Sequence, residues 1–112
     1  MPALVIRTYT VQYPDPIVLE IGDLVVLGSR DLDFPGWIWA TASVGGKSGW
    51  VPEEFLTIEG TVGRSLRDYS ARELSVNEGN HVTVLQELLG WALTETAEGK
   101  RGWLPVDHLH IS

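Results

Sequence analysis

Two tetrapeptides, Gly49-Trp50-Val51-Pro52 and Gly102-Trp103-Leu104-Pro105, stand 53 positions apart in a chain of 112 residues. A fixed period of this length means one supersecondary unit built twice, and it limits the fold before composition is considered. Other pairs recur in the same order. Gly22-Asp23 leads into Leu24-Val25-Val26-Leu27, and Gly79-Asn80 into His81-Val82-Thr83-Val84-Leu85. Gly36-Trp37 answers Gly90-Trp91, and Gly46-Lys47-Ser48 answers Gly99-Lys100-Arg101. The repeat predicts two domains, residues 1–59 and 60–112.

Each copy reads as short strands. The runs 24–27 and 82–85 are rich in β-branched residues and bounded by turn residues. Trp37–Ala42 and Trp91–Thr96 are second strands, and Gly49–Val51 and Gly102–Leu104 third strands. Val44-Gly45-Gly46-Lys47 and Ala97-Glu98-Gly99-Lys100 are tight turns in which glycine supplies positive φ. Pro52 and Pro105 stop the third strands, because proline donates nothing to a ladder. Glu53-Glu54-Phe55 and Val106-Asp107-His108 each fit one 3₁₀ turn. Helical periodicity is absent over any useful length.

Composition narrows the class of function. Hydrophobic residues form 44 % of the chain, enough for a core. There is no cysteine, so neither disulfides nor thiolate chemistry is expected. No apolar run reaches the roughly 20 residues of a membrane helix. The first residues lack the basic and apolar regions of a signal peptide, so a cytoplasmic location is expected. Residues 1–59 carry three basic residues against eight acidic ones, and residues 60–112 five against seven. The net charge of −7 disfavours nucleic acid and favours a basic partner.

The second half, through Ser65-Leu66-Arg67-Asp68-Tyr69, Glu73-Leu74-Ser75-Val76, Gly79-Asn80, Gly90-Trp91 and Gly102-Trp103-Leu104-Pro105, resembles a Src-homology-3 (SH3) domain. The first half matches more loosely through Val11-Gln12-Tyr13, Ile17-Val18-Leu19, Gly22-Asp23, Trp37 and Gly49-Trp50-Val51-Pro52-Glu53-Glu54-Phe55. The resemblance implies an all-β protein of two tandem, five-stranded SH3-like barrels. It also implies a groove of aromatic rings that takes an extended, polyproline-type peptide. Carried over by residue, the first groove would use Tyr13, Trp37, Trp50, Pro52 and Phe55. The second would use Tyr69, Trp91, Trp103 and Pro105. Asp15 and Asp33 would flank the first groove and favour a basic ligand.

The chain departs from the family pattern at several points. The loop after the motif tyrosine, the RT loop, spans only Tyr13 to Ile17 in one half and Tyr69 to Leu74 in the other. Val11 and Arg67 stand where the motif has its first tyrosine. His108 replaces the closing tyrosine, and Phe55 keeps the ring without its hydroxyl. On period-two alternation Val51 and Leu104 face the core, so Trp50 and Trp103 face outward, into a groove or against the other repeat. Residues 57–63 read as a short linker held against one barrel or across the junction.

His108 and His110 lack a third ligand, so no metal site is expected. Asp31-Leu32-Asp33 and Glu53-Glu54 read as solvated loop pairs or as the rim of a basic-peptide site. No nucleophile constellation or phosphate loop is present, so neither an enzyme nor a cofactor is expected. The leading expectation is a non-catalytic protein-interaction module, monomeric or weakly self-associating, with a protein or peptide ligand. The alternatives are a structural or scaffold subunit with its aromatic surfaces buried, and a cell-wall-binding SH3 variant.

Overall fold

Alternating apolar residues become strands throughout the computed structural model, which describes residues 1–112. In chain order the strands are β1 (Pro2–Val5), β2 (Val18–Leu19), β3 (Leu24–Arg30), β4 (Trp37–Ala42), β5 (Ser48–Pro52) and β6 (Leu56–Glu59). They continue with β7 (Val62–Ser65), β8 (Tyr69–Ser70), β9 (His81–Leu88), β10 (Trp91–Thr96), β11 (Arg101–Pro105) and β12 (Leu109–Ile111). There is no α-helix. Two 3₁₀ turns, Glu53–Phe55 and Val106–His108, fall where the sequence predicts them. In β9, Val82 and Val84 point inward while His81, Thr83 and Leu85 face water. Gly45, Gly46 and Gly99 hold the positive φ that the two tight turns require.

The twelve strands form two five-stranded antiparallel sheets and one two-stranded pair. One sheet has the order β5-β4-β3-β7-β6 and the other β11-β10-β9-β1-β12. No ladder joins the outer strands of either sheet, so the closed barrels expected from the sequence are not formed.

The chain divides into two compact units whose boundaries are not those of the repeat. One is continuous, Asp15–Ala71. The other is built from two segments, Met1–Pro14 and Arg72–Ser112. The expected boundary at 59/60 lies inside the continuous unit. Residues 57–63 are a hairpin rather than a linker: Thr57 faces Arg64, Ile58 faces Gly63 and Glu59 faces Val62. Gly60, at φ +60, makes the turn.

The wiring of the RT segment explains the difference. In the two-segment unit Tyr9 bridges to Val76. In the continuous unit Leu19 pairs with Tyr69, and Val18 with Ser70. Each tyrosine arm therefore pairs with a return arm from the other sequence half. Both apparently shortened RT loops, around Pro14-Asp15 and Ala71-Arg72, are the points where the chain passes between units.

The continuous unit thus begins at the return arm and ends with the tyrosine motif, which reverses the order that the resemblance implies. The two-segment unit keeps that order but is interrupted between Tyr9 and Leu74 by the whole of the other unit. Such an insertion is tolerated because its two ends meet: the Ala71 N–H donates to the Ile17 carbonyl at 3.0 Å.

Each unit has its own core. Ala3, Val5, Tyr9, Leu74, Val76, Val82, Val84, Ala92, Leu104 and Leu109 form one cluster in the two-segment unit. Ile17, Leu19, Val25, Ile38, Ala40, Val51 and Leu56 are buried in the continuous unit. Val51 and Leu104 are fully buried, as alternation predicts. The glycines of the repeated tetrapeptides have a packing role. A Cβ on Gly49 would lie 2.8 Å from Ile17 Cγ2, and one on Gly102 would lie 2.8 Å from Leu74 Cγ and 2.9 Å from the Glu73 carbonyl carbon. In each unit the return arm crosses the last strand of the hairpin at this glycine.

Candidate functional site

The two halves of the repeated motif meet across a ladder. Trp91 sits opposite Pro105 and Trp37 opposite Pro52. Gly90 and Gly36 precede the tryptophans at positive φ. Their carbonyls accept the N–H of the first residue of each 3₁₀ turn, Val106 at 3.0 Å and Glu53 at 2.8 Å. Gly-Trp and Gly-Trp-x-Pro therefore recur together because one fixes the tryptophan and the other supplies the proline and turn beside it.

In the two-segment unit this row continues through Tyr9. Its ring meets Trp91 edge-on at 6.0 Å and His108 edge-on at 5.4 Å. Such T-shaped contacts set the positive edge of one ring against the negative face of another. The Tyr9 hydroxyl donates to Glu73 Oε2 at 2.9 Å, and Glu73 Oε1 accepts the Gln12 N–H at 3.1 Å. Burial, reinforced by the Glu73 carboxylate, pushes the Tyr9 phenol well above its ordinary pKa. Trp91 and His108 remain half-buried, so part of each ring borders solvent. His108 Nδ1 is buried without a hydrogen-bond partner, and Nε2 lies 3.8 Å from Asp107 Oδ1. His108 belongs to the 3₁₀ turn and His110 to β12, so the two do not share a strand face.

The continuous unit builds the matching row from Trp37, Pro52, Phe55 and Tyr69. Phe55 and Tyr69 meet edge-on at 5.7 Å. The Tyr69 hydroxyl donates to the Trp50 carbonyl at 2.8 Å. The Arg67 guanidinium lies over the Phe55 ring, 4.4 Å from its centroid. This row is closed: Trp37 is 4 % exposed, and Phe55 and Tyr69 are each 8 % exposed.

The residues expected in one groove are thus redistributed. Tyr13 is 39 % exposed and belongs to the two-segment unit, whereas Trp37, Trp50, Pro52 and Phe55 belong to the continuous one. Tyr69 belongs with those four, and not with Trp91, Trp103 and Pro105. Trp50 is half-buried and meets Trp39 edge-on across the β4–β5 ladder at 5.1 Å. Trp103 is buried rather than outward-facing, and its N–H donates to the Arg72 carbonyl at 2.8 Å. Asp15 pairs with Lys47 at 2.9 Å in an exposed contact, which contributes little to stability. Asp33 is exposed, and its N–H donates to Asp31 Oδ1 in a loop turn.

Tyr9 is the member of the Trp91 row that the sequence pattern did not single out. The signal was present: Ile6-Arg7-Thr8-Tyr9 matches Leu66-Arg67-Asp68-Tyr69. A groove of about 580 Å³ between Ser75–Val82 and Thr96–Lys100 lies elsewhere on the two-segment unit and includes none of the aromatic row. No group of three His, Cys, Asp or Glu side chains is placed to hold a metal ion.

A family model described as a variant SH3 domain matches residues 2–59. In linear order that stretch takes β1 from the two-segment unit and β2 to β6 from the continuous one. No solved structure matches the chain with significance.

Proposed function

The chain belongs to the variant SH3 domain family, and from that premise we propose that it is a non-catalytic protein-interaction module whose peptide site is the row Tyr9, Trp91, Pro105 and His108. SH3-type domains act in general by binding proteins or peptides. The observation that carries the finer reading is the half-buried Trp91, held opposite Pro105 and edge-on to Tyr9. A half-buried indole held beside a proline offers a stacking surface at little entropy cost. An extended peptide suits such a surface because its backbone is already ordered. A net charge of −7 argues against nucleic acid as the partner.

The test is titration of the full chain with a library of extended, proline-containing peptides. Trp91→Ala should weaken binding by roughly 1–3 kcal/mol and lower the melting temperature only in part, since the half-buried ring also packs on the core cluster. Trp37→Ala should lower the melting temperature more, since that side chain is buried. Binding lost only in Trp37→Ala would move the site to the continuous unit. A scaffold role is the second reading, favoured by the burial of Trp37, Phe55 and Trp103. Absence of any peptide binding would support it.

A further inference from the structure

Four cations of this acidic chain are bonded to oxygen. Arg30 pairs with Glu53 at 2.7 Å, Lys47 with Asp15 at 2.9 Å and Arg101 with Glu95 at 2.6 Å. Arg64 donates to the Gly22 carbonyl at 3.0 Å. Arg67 is different. No carboxylate lies within ion-pairing distance, and its guanidinium meets the Phe55 ring instead. The adjacent carboxylate is turned to other use, since Asp68 Oδ1 accepts the Ile21 N–H at 2.9 Å.

The backbone that presents Arg67 is pinned on both sides. The Leu66 N–H donates to the Phe55 carbonyl at 2.8 Å. The hydroxyl of Ser65, a fully buried residue, donates to the Arg67 carbonyl at 2.6 Å. Phe55 is itself edge-on to Tyr69. The guanidinium carbon thus sits over a fixed ring, and the N–H groups make no ion pair within the chain. That is the geometry in which arginine grips a carboxylate through two parallel hydrogen bonds. The same residue recurs: Arg7 holds the equivalent place in Ile6-Arg7-Thr8-Tyr9 and is also without an ion pair.

We infer that Arg67, stacked on Phe55 beside Tyr69, forms a second recognition site, one that takes a single Asp or Glu side chain of an extended peptide. This inverts the basic-ligand preference that the net charge suggests. The two are compatible. A chain of net charge −7 repels a polyanion at long range, while a fixed guanidinium fork selects one carboxylate at contact. The expected occupant is a carboxylate flanked by neutral residues, and not an acidic tract. The site lies in the continuous unit, so it stands or falls apart from the Trp91 row.

The probe is a neutral, blocked, proline-rich heptapeptide carrying one central glutamate, titrated into the full ¹⁵N-labelled chain. Controls carry glutamine, lysine or phosphoserine at that position. The glutamate peptide should shift the Arg67 Nε–H resonance and the amides of Phe55 and Tyr69. Its affinity should exceed that of the glutamine peptide by at least about tenfold. Arg67→Gln should abolish that difference, Arg67→Lys should restore only part of it, and Trp91→Ala should leave it intact. Melting temperatures of both Arg67 variants confirm that they are folded, and the lysine variant keeps the test open if the glutamine one is not. Equal binding of the glutamate and glutamine peptides would overturn the inference, as would a glutamate preference that persists in both Arg67 variants. Tighter binding of the phosphoserine peptide would overturn the carboxylate assignment.

Discussion

Tyr9 shows how one side chain serves both core and site. Its ring lies in the core cluster while its hydroxyl reaches Glu73. Tyr9→Phe keeps the ring and loses that hydrogen bond, so it should cost about 1 kcal/mol at neutral pH. The cost should depend on pH with a definite sign. The folded-state pKa of Tyr9 is raised, so its contribution is fully present below the unfolded value near 10 and is lost as pH rises beyond it. Urea unfolding of both proteins between pH 7 and 11 measures this. The gap between them should narrow above about pH 10, and a constant gap would show that Tyr9 is not the titrating group. Leu89 offers an independent test. It is the one non-glycine residue at positive φ, +50, in the tight Leu89-Gly90 turn. Leu89→Gly should relieve roughly 1 kcal/mol of backbone strain, partly offset by the greater freedom of the unfolded chain. A small rise in melting temperature is the expected reading.

At the scale of elements, the repeated glycines matter through space rather than through φ. Gly49 and Gly102 let the return arm cross the last strand of the hairpin at van der Waals contact. Alanine at either position forces backbone or packed side chains to shift, at a cost of about 1–3 kcal/mol. Gly49→Ala should destabilise the continuous unit and Gly102→Ala the two-segment unit. Amide exchange resolved by residue would show protection falling in one sheet before the other, and uniform loss in both would contradict the division. Much of this level was legible in the sequence. Val25, Val82 and Val84 alternate with exposed neighbours, and Pro52 and Pro105 mark the strand ends where they fall. Partner choice was not legible. Ile6-Arg7-Thr8-Tyr9 and Leu66-Arg67-Asp68-Tyr69 are alike enough to serve either return arm, and local pattern holds no information about which arm each one pairs with. Tyr13 takes the place of Tyr9 in the sequence pattern only if each half closes its own RT hairpin.

For the whole molecule, the boundaries of independent folding should follow the wiring and not the repeat. Residues 15–71 contain all five strands of one sheet. Expressed alone they should give a cooperative, if marginal, thermal transition, as expected for a domain of under 60 residues. Residues 60–112 lack β1, which lies between β9 and β12, and carry β7 with no partner strand. They should remain largely unfolded by circular dichroism and amide dispersion. The reverse outcome would mean that each half can close its own RT hairpin. The meeting of Ile17 and Ala71 bears on the order of folding. During synthesis, residues 1–14 emerge with no partner, because β9 and β12 are still unmade. Residues 15–71 can fold in the meantime, and in doing so they draw together the two points where the first segment must resume. A gap of 57 residues, Asp15 to Ala71, shrinks to the width of one backbone hydrogen bond. That removes on the order of 3 kcal/mol of loop-closure entropy from the second folding step. The inserted unit acts as a clasp, and whatever melts it hands that entropy cost back to its host.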